Sequence, residues 1–161
     1  MIRNVKLSDA YAISNIYNYY IENTIITFET DIFDVAKTEK RIKKILEKGF
    51  PYIVYEENGE VIGYAYAGIW RERKAYEITL ETSIYIDHNK LGSGVGSKLY
   101  QELIEKSREI GIHSLIGVVS VPNESSKRLH LNSGFKLLGV FTEVGQKFDK
   151  YIDVEFWQLM L

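Results

Sequence analysis

Apolar residues near the start of the chain recur with the period of a helix. Ile13, Ile16, Tyr17, Tyr20 and Ile21 fall on one face, the spacing of an amphipathic helix packed on a core. Ser8 is a good N-cap for it, Asp9 sits favourably in its first turn, and Met1 to Leu7 reads as a short strand before it. Asn23 to Phe33 is β-branched and aperiodic, the character of a loop. Asp34 can cap a second helix whose Ile42, Ile45 and Leu46 share a face, which stops near Gly49 and exits at Pro51. Period-two patterning then takes over. Tyr52 to Glu56 and Val61 to Ala67 are strands joined by Asn58-Gly59, a strong hairpin signal. After a charged loop, Arg71 to Lys74, the run Ile78 to Ile86 alternates large β-formers as a long strand.

A glycine-rich turn leads into a helix from about Gly94 to Ile110, ended by Gly111. Ser114 to Val121 is a strongly apolar strand, and Pro122 and Asn123 open a short helix that ends at Gly134. Phe135 to Thr142 and Asp153 to Leu161 finish the chain as strands, with Val144 to Tyr151 as their connection. With no linker or repeat, the pattern predicts one mixed α/β domain over residues 1–161.

Composition narrows the chemistry. The 161 residues are 45% hydrophobic, enough for a sizeable core. A net charge of −2 with interspersed signs gives no electrostatic case for nucleic acid. The absence of cysteine excludes disulfides, thiolate metal sites and a cysteine nucleophile. His88 and His113 sit at turn positions, and no metal-binding spacing is present. No apolar run approaches the roughly 20 residues of a membrane-crossing helix. Met1 to Leu7 lacks the apolar core of a signal peptide. The expected location is the cytoplasm.

The stretch Asp87-His88-Asn89-Lys90-Leu91-Gly92-Ser93-Gly94-Val95-Gly96-Ser97-Lys98-Leu99 carries the most information. Three alternate glycines between a strand and a long helix let the backbone approach a ligand, and the unpaired amides and dipole of the helix start favour phosphate. The dinucleotide pattern G-x-G-x-x-G fails on spacing, and the P-loop fails because Ser97-Lys98-Leu99 replaces its G-K-[ST].

Glu81 to Leu99 and Pro122 to Phe135 resemble the GNAT family of N-acetyltransferases. In that family a Q/R-x-x-G-x-G/A turn holds the pyrophosphate of acetyl-coenzyme A. Gly94-Val95-Gly96 matches its end, while Leu91 stands where Gln or Arg is usual, which removes one side-chain contact. Asn123-Glu-Ser-Ser-Lys-Arg-Leu-His130-Leu-Asn-Ser-Gly134-Phe135 resembles the family's second signature. There Asn123 meets the pantetheine arm and His130 replaces a usual tyrosine. The resemblance implies a central twisted mixed sheet of about seven strands flanked by about four helices. It also implies acetyl-CoA contacts at Ile84, Tyr85, Ile86, Leu91, Gly92, Ser93, Gly94, Val95, Gly96, Ser97, Asn123, Ser126 and Lys127.

Within the family, Thr24 to Thr30, Ala65 to Tyr76, Leu80 to Tyr85 and Phe156-Trp157-Gln158 are similar to the branch that acetylates phosphinothricin, whose relatives act on methionine sulfoximine or sulfone. That likeness implies a small-molecule amine as acceptor, a homodimer, and substrate contacts from Phe28, Arg71, Arg73 and Tyr76. Guanidinium groups can grip a carboxylate or phosphinate in bidentate fashion. Glu81 matches the family's catalytic glutamate, a base for the attacking amine, and desolvation in its apolar strand would suit that role. His130 could protonate the departing sulfur, orient the substrate or be structural, with Tyr100 and Tyr85 as other donors. Two further readings remain open: acetylation of a peptide or protein N-terminus, and binding of acetyl-CoA as a sensor without turnover.

Overall fold

Strands and helices interleave along the chain, and every residue from 1 to 161 is described in the computed structural model. The order is β1 (Ile2–Asn4), α1 (Ala10–Asn23), α2 (Val35–Glu47), β2 (Tyr52–Glu57), β3 (Glu60–Ile69), β4 (Thr79–Ile86), α3 (Val95–Glu109), β5 (Ser114–Val121), α4 (Glu124–Asn132), β6 (Lys136–Lys147) and β7 (Lys150–Met160). The strands form one mixed sheet in the order β1-β2-β3-β4-β5-β7-β6. All pairs are antiparallel except β4 with β5. No helix is long and apolar enough to cross a membrane.

Alternation along the strands splits the core in two. Tyr52, Val54 and Tyr64 meet Ile13, Tyr17, Tyr20 and Ile21 of α1 and Ile42 and Ile45 of α2 on one face. Ile53, Ala65, Ala67, Leu80 and Leu115 meet Leu99, Tyr100 and Leu103 of α3 on the other. The expected helical faces are therefore the buried ones, except that Leu46 is 42% exposed. It lies past the edge of the stripe that Ile42 and Ile45 define.

Local signals held where they were self-contained. Asp34 caps α2 by accepting from the Lys37 amide at 2.7 Å. Asn58 and Gly59 both take positive φ, the mirror-image turn that suits a hairpin. Two expectations are corrected. Ser8 does not cap α1: Leu7–Asp9 is a 3-10 turn, and Asp9 precedes the helix with its carboxylate taken by Arg3 (2.8 and 2.9 Å) and the Lys6 amide. The segment Val144 to Tyr151 is not a loose connection. β6 and β7 run on to Lys147 and Lys150 and close through Phe148-Asp149, whose φ values of 53° and 56° again make a mirror-image turn.

The feature that positions the site is a fork. β4 and β5 pair only from Thr79–Ser114 to Thr82–Gly117. Beyond that point β4 stays on β3 to Ile86, and β5 stays on β7 to Val121. The two central strands therefore part over their C-terminal halves while each is held on its outer side. A parallel pair that separates leaves backbone groups free and opens a slot through the sheet.

Candidate active site

Two cavities meet in this fork. One, of about 400 Å³, runs from the glycine turn (Lys90–Ser97) along α4 to Ile84, Tyr85 and Ile86. The other, of about 460 Å³, is lined by Glu81–Tyr85, Val118–Ser120, Tyr100 and His130, and by Tyr17, Arg41, Tyr66 and Thr27–Glu29 on the α1–α2 side. They share Ile26, Ile84, Tyr85, Asn123 and Ser126, so they form one continuous cleft. Each is in the range of ligand sites.

The first cavity has the build of a phosphate cradle. Gly92 and Gly94 hold φ of 78° and 77°, and a Cβ on either would meet nothing within 4 Å, so the backbone lies open to a ligand. The first helical bond of α3 runs from the Lys98 amide to the Gly94 carbonyl, which leaves the amides of Val95, Gly96 and Ser97 ahead of it. Arg128 lines this cavity and Lys127 does not; Lys127 instead lies 3.5 Å from both Glu124 and Glu155. Helical phase explains the swap, because Ser125, Arg128, Leu129 and Asn132 fall on one face of α4. Leu91 is exposed at the cavity edge and offers no polar contact. Asn123 caps α4 by accepting from the Ser126 amide at 3.2 Å and also borders both cavities.

At the fork, alternation puts Glu81, Ser83 and Tyr85 on the α1–α2 face and Thr82 on the α3–α4 face. Glu81 makes no hydrogen bond or ion pair within the chain, and burial raises its pKa above the ordinary carboxylate value. A carboxylate so desolvated takes up a proton more readily.

His130 fills the fork from the other side. Gly117, where strand pairing stops, has no room for a Cβ because the imidazole packs against it. Nδ1 lies 2.7 Å from the Ser126 carbonyl, which can only accept, so Nδ1 carries the hydrogen. Nε2 is 3.0 Å from the Tyr100 hydroxyl, itself 2.7 Å from Thr82 Oγ1. In the neutral ring Thr82 donates to Tyr100 and Tyr100 to Nε2. On protonation the chain reverses: Nε2–H donates to Tyr100, Tyr100 to Thr82, and Thr82 to the Ile116 carbonyl at 3.3 Å. Burial lowers the His130 pKa, so the first arrangement is the resting one. Both ring nitrogens are engaged, and any proton the ring exchanges must pass through these bonds.

The loop 24–33 roofs the acceptor side. Ser120 Oγ donates to the Ile25 carbonyl, Lys147 Nζ to the Thr27 carbonyl at 2.8 Å, and Tyr17 bonds the Thr27 hydroxyl at 2.8 Å. Phe28 lines the cleft and packs on Gly145 of β6. Arg71, Arg73 and Tyr76 lie elsewhere, around two cavities of about 620 and 430 Å³ at the β3–β4 connection, with Arg71 over the Trp70 and Tyr76 rings. Tyr17, Arg41, Tyr66 and Arg128 line the cleft although nothing local in the sequence marks the first three.

An open glycine cradle that leads through a strand fork to an unpaired, desolvated carboxylate is the layout of a transferase that moves a group from a phosphate-bearing carrier. Comparison with known proteins gives the family. Residues 2–156 match the model described as the acetyltransferase (GNAT) domain, and the chain belongs to that family. It is 34% identical to phosphinothricin N-acetyltransferase of Streptomyces viridochromogenes, covering 98% of this chain and 85% of that one. It is also 34% identical to the L-methionine sulfoximine/L-methionine sulfone acetyltransferase of Pseudomonas aeruginosa, over 99% and 94%. Among solved structures it matches a phosphinothricin acetyltransferase of Sinorhizobium meliloti in complex with acetyl-CoA (TM-score 0.97, 34% identity, 100% and 88% coverage). A ribosomal-protein-alanine N-acetyltransferase of Brucella melitensis superposes with TM-score 0.98 at 35% identity, over 100% and 99%.

Proposed function

We propose that this protein is an acetyl-CoA-dependent N-acetyltransferase acting on the amino group of a small amino acid analogue of the phosphinothricin, methionine sulfoximine or methionine sulfone type. The observation that carries it is the single cleft joining the open glycine cradle to Glu81 through the fork. The named relatives supply the acceptor class.

The cradle fits acetyl-CoA: the amides of Gly92 to Ser97 would receive its pyrophosphate, Arg128 would add charge, with Lys90 3.7 Å from Glu57 at the cavity edge, and Asn123, Ser126 and the Ile84–Ile86 edge would border the narrower arm. When bound, acetyl-CoA supplies the acetyl group as a thioester with a thiolate leaving group. Glu81 takes the proton that the acceptor ammonium must lose before its nitrogen can attack. The second proton that the nitrogen sheds as the amide forms balances the departing thiolate, and the Thr82–Tyr100–His130 chain would relay it toward the sulfur. Free backbone amides of the parted β4 edge are placed to meet negative charge on the carbonyl oxygen. The chemistry needs no metal ion. Phe28 borders the acceptor, and Arg71, Arg73 and Tyr76, outside the cleft of their own chain, contact it only if a second copy brings them there.

A small acceptor is favoured over a peptide because the loop 24–33 is tied across the cleft to β5 and β6 by Ser120 and Lys147. A homodimer is supported by β6, an edge strand with Leu137, Leu138, Val140, Phe141 and Val144 all exposed, the kind of edge proteins usually cover. Light scattering at the monomer mass would refute it. We place the single domain in the cytoplasm.

The test is thiol release from acetyl-CoA with phosphinothricin, methionine sulfoximine, methionine sulfone and a broad amine panel. Selective turnover of those analogues, abolished in Glu81→Gln with acetyl-CoA affinity retained, is expected. Silence across the panel from protein that binds acetyl-CoA would leave a sensor and defeat the proposal.

A further inference from the structure

We infer that Arg41 is the anchor for the carboxylate of the acceptor, with Glu29 as its resting counter-ion. The inference rests on the transfer reading above and adds the residue that selects the substrate. Arg41 is the one lysine or arginine lining the catalytic cavity. The other nearby cations are spent: Lys147 donates to the Thr27 carbonyl, and Lys127 is paired with Glu124 and Glu155.

The guanidinium is held for recognition rather than left on a loose stem. It lies over the Phe33 ring at 4.1 Å and the Tyr17 ring at 5.2 Å. Stacking fixes its plane and leaves its N–H edges free for in-plane acceptors. Of its five donors, one makes a close bond, to Glu29 Oε1 at 3.1 Å, and the Tyr17 hydroxyl is the other side-chain partner within reach. Glu29 sits on the roof loop with its side chain 39% exposed, so its carboxylate is a single-point, partly solvated partner that another carboxylate can replace. A bidentate contact is stronger than this one.

Placement against the base fits the same substrate. Arg41, Tyr66 and Glu81 line the same cavity, so a ligand in it has the cation and the carboxylate together on its walls. An amino acid presents an ammonium and a carboxylate together. Its ammonium meets Glu81 and its carboxylate meets Arg41. A plain amine satisfies only the first.

The experiment compares methionine sulfone with its decarboxylated amine, using Arg41→Gln, Arg41→Lys and Glu29→Gln. Loss of a charge-assisted contact should raise KM for the amino acid roughly 10- to 150-fold in Arg41→Gln, with KM for acetyl-CoA and turnover of the decarboxylated amine unchanged. Arg41→Lys, which keeps charge and stem but not the fork, should recover part of the affinity. Glu29→Gln should lower KM for the amino acid, because the competing carboxylate is gone. Calorimetric binding of methionine sulfone to the CoA-saturated protein should follow the same order without any turnover. Equal losses on both substrates in Arg41→Gln, or a raised KM in Glu29→Gln, would show that the pair only braces the loop and would overturn the anchor. Abolition of the carboxylate preference by Arg71→Gln or Arg73→Gln, with Arg41→Gln silent, would overturn it too. Wild-type protein that turns over neither compound refutes the transfer reading, while the binding order still decides Arg41.

Discussion

Tyr100→Phe removes one oxygen atom from the centre of the fork and little else. The ring stays, stacked on Phe135 at 5.3 Å between centroids, and only the volume of one oxygen atom is vacated. The hydroxyl has two partners, and they fare differently. Thr82 can turn to the Ile116 carbonyl at 3.3 Å, so it is not orphaned. His130 Nε2 has no other partner, and the ring is 4% exposed. One buried, unsatisfied nitrogen costs about 1–3 kcal/mol. For a domain of this size that is a fall in Tm of roughly 2–12 °C.

The protonated ring suffers more than the neutral one, because an unpaired N–H on a cation is the costlier orphan. The His130 pKa, already lowered by burial, should therefore fall further. Thermal unfolding gives the first quantity, and an NMR titration of the imidazole gives the second. If His130 passes protons through Tyr100, kcat should drop while KM for acetyl-CoA holds. A change in Tm below about 1 °C, with an unmoved His130 titration, would refute the hydrogen-bond chain as drawn.

Gly117→Ala drives a methyl into the His130 ring, and overpacking of this kind costs about 1–3 kcal/mol; unfolding in denaturant should show it, with activity lost beyond the stability change because the fork must shift. For Glu81 the folded pKa is raised, so the folded state binds the proton more tightly and stability declines as pH rises through the interval above the unfolded value. Glu81→Gln should accordingly unfold at higher temperature than wild type near pH 7 and match it below about pH 4; the acid limb of kcat/KM in wild type should lie above the ordinary carboxylate range, and a limb at that range would contradict the desolvated base.

The glycine cradle was legible because it is contiguous: a run of glycines and a helix start are written side by side from Leu91 to Ser97. At the other end of the cleft Glu81 and Phe28 were legible and Tyr17, Arg41 and Tyr66 were not, since these three come from α1, α2 and β3 and meet only once the sheet is built. Short-range chemistry failed where a distant partner intervened. Asp9 is drawn to Arg3, and the cap expected at Ser8 dissolves with it. The β6–β7 turn lacked the glycine that marked Asn58-Gly59, and its positive φ values were imposed by strand pairing on either side. Arg128 was within reach of the sequence, because helical phase separates it from Lys127.

The sheet order makes the two ends of the cleft unequal. The cradle is the first turn of a 15-residue helix whose inner face is fully buried. The roof loop has no regular structure. It is held by side-chain bonds from α1, β5 and β6 to Ile25, Thr27 and Phe33 and by the buried Phe33 ring, rather than by a ladder of backbone bonds. A segment held in this way lies nearer the soft end of the molecule's local stabilities than the packed helices and strands. Because β7 lies between β5 and β6, the tip of the ribbon reaches the loop without touching the cradle. Substitutions at Gly145 or Lys147 can therefore reshape the acceptor pocket while the phosphate cradle keeps its geometry, which is a physical route by which one fold changes amines and retains acetyl-CoA.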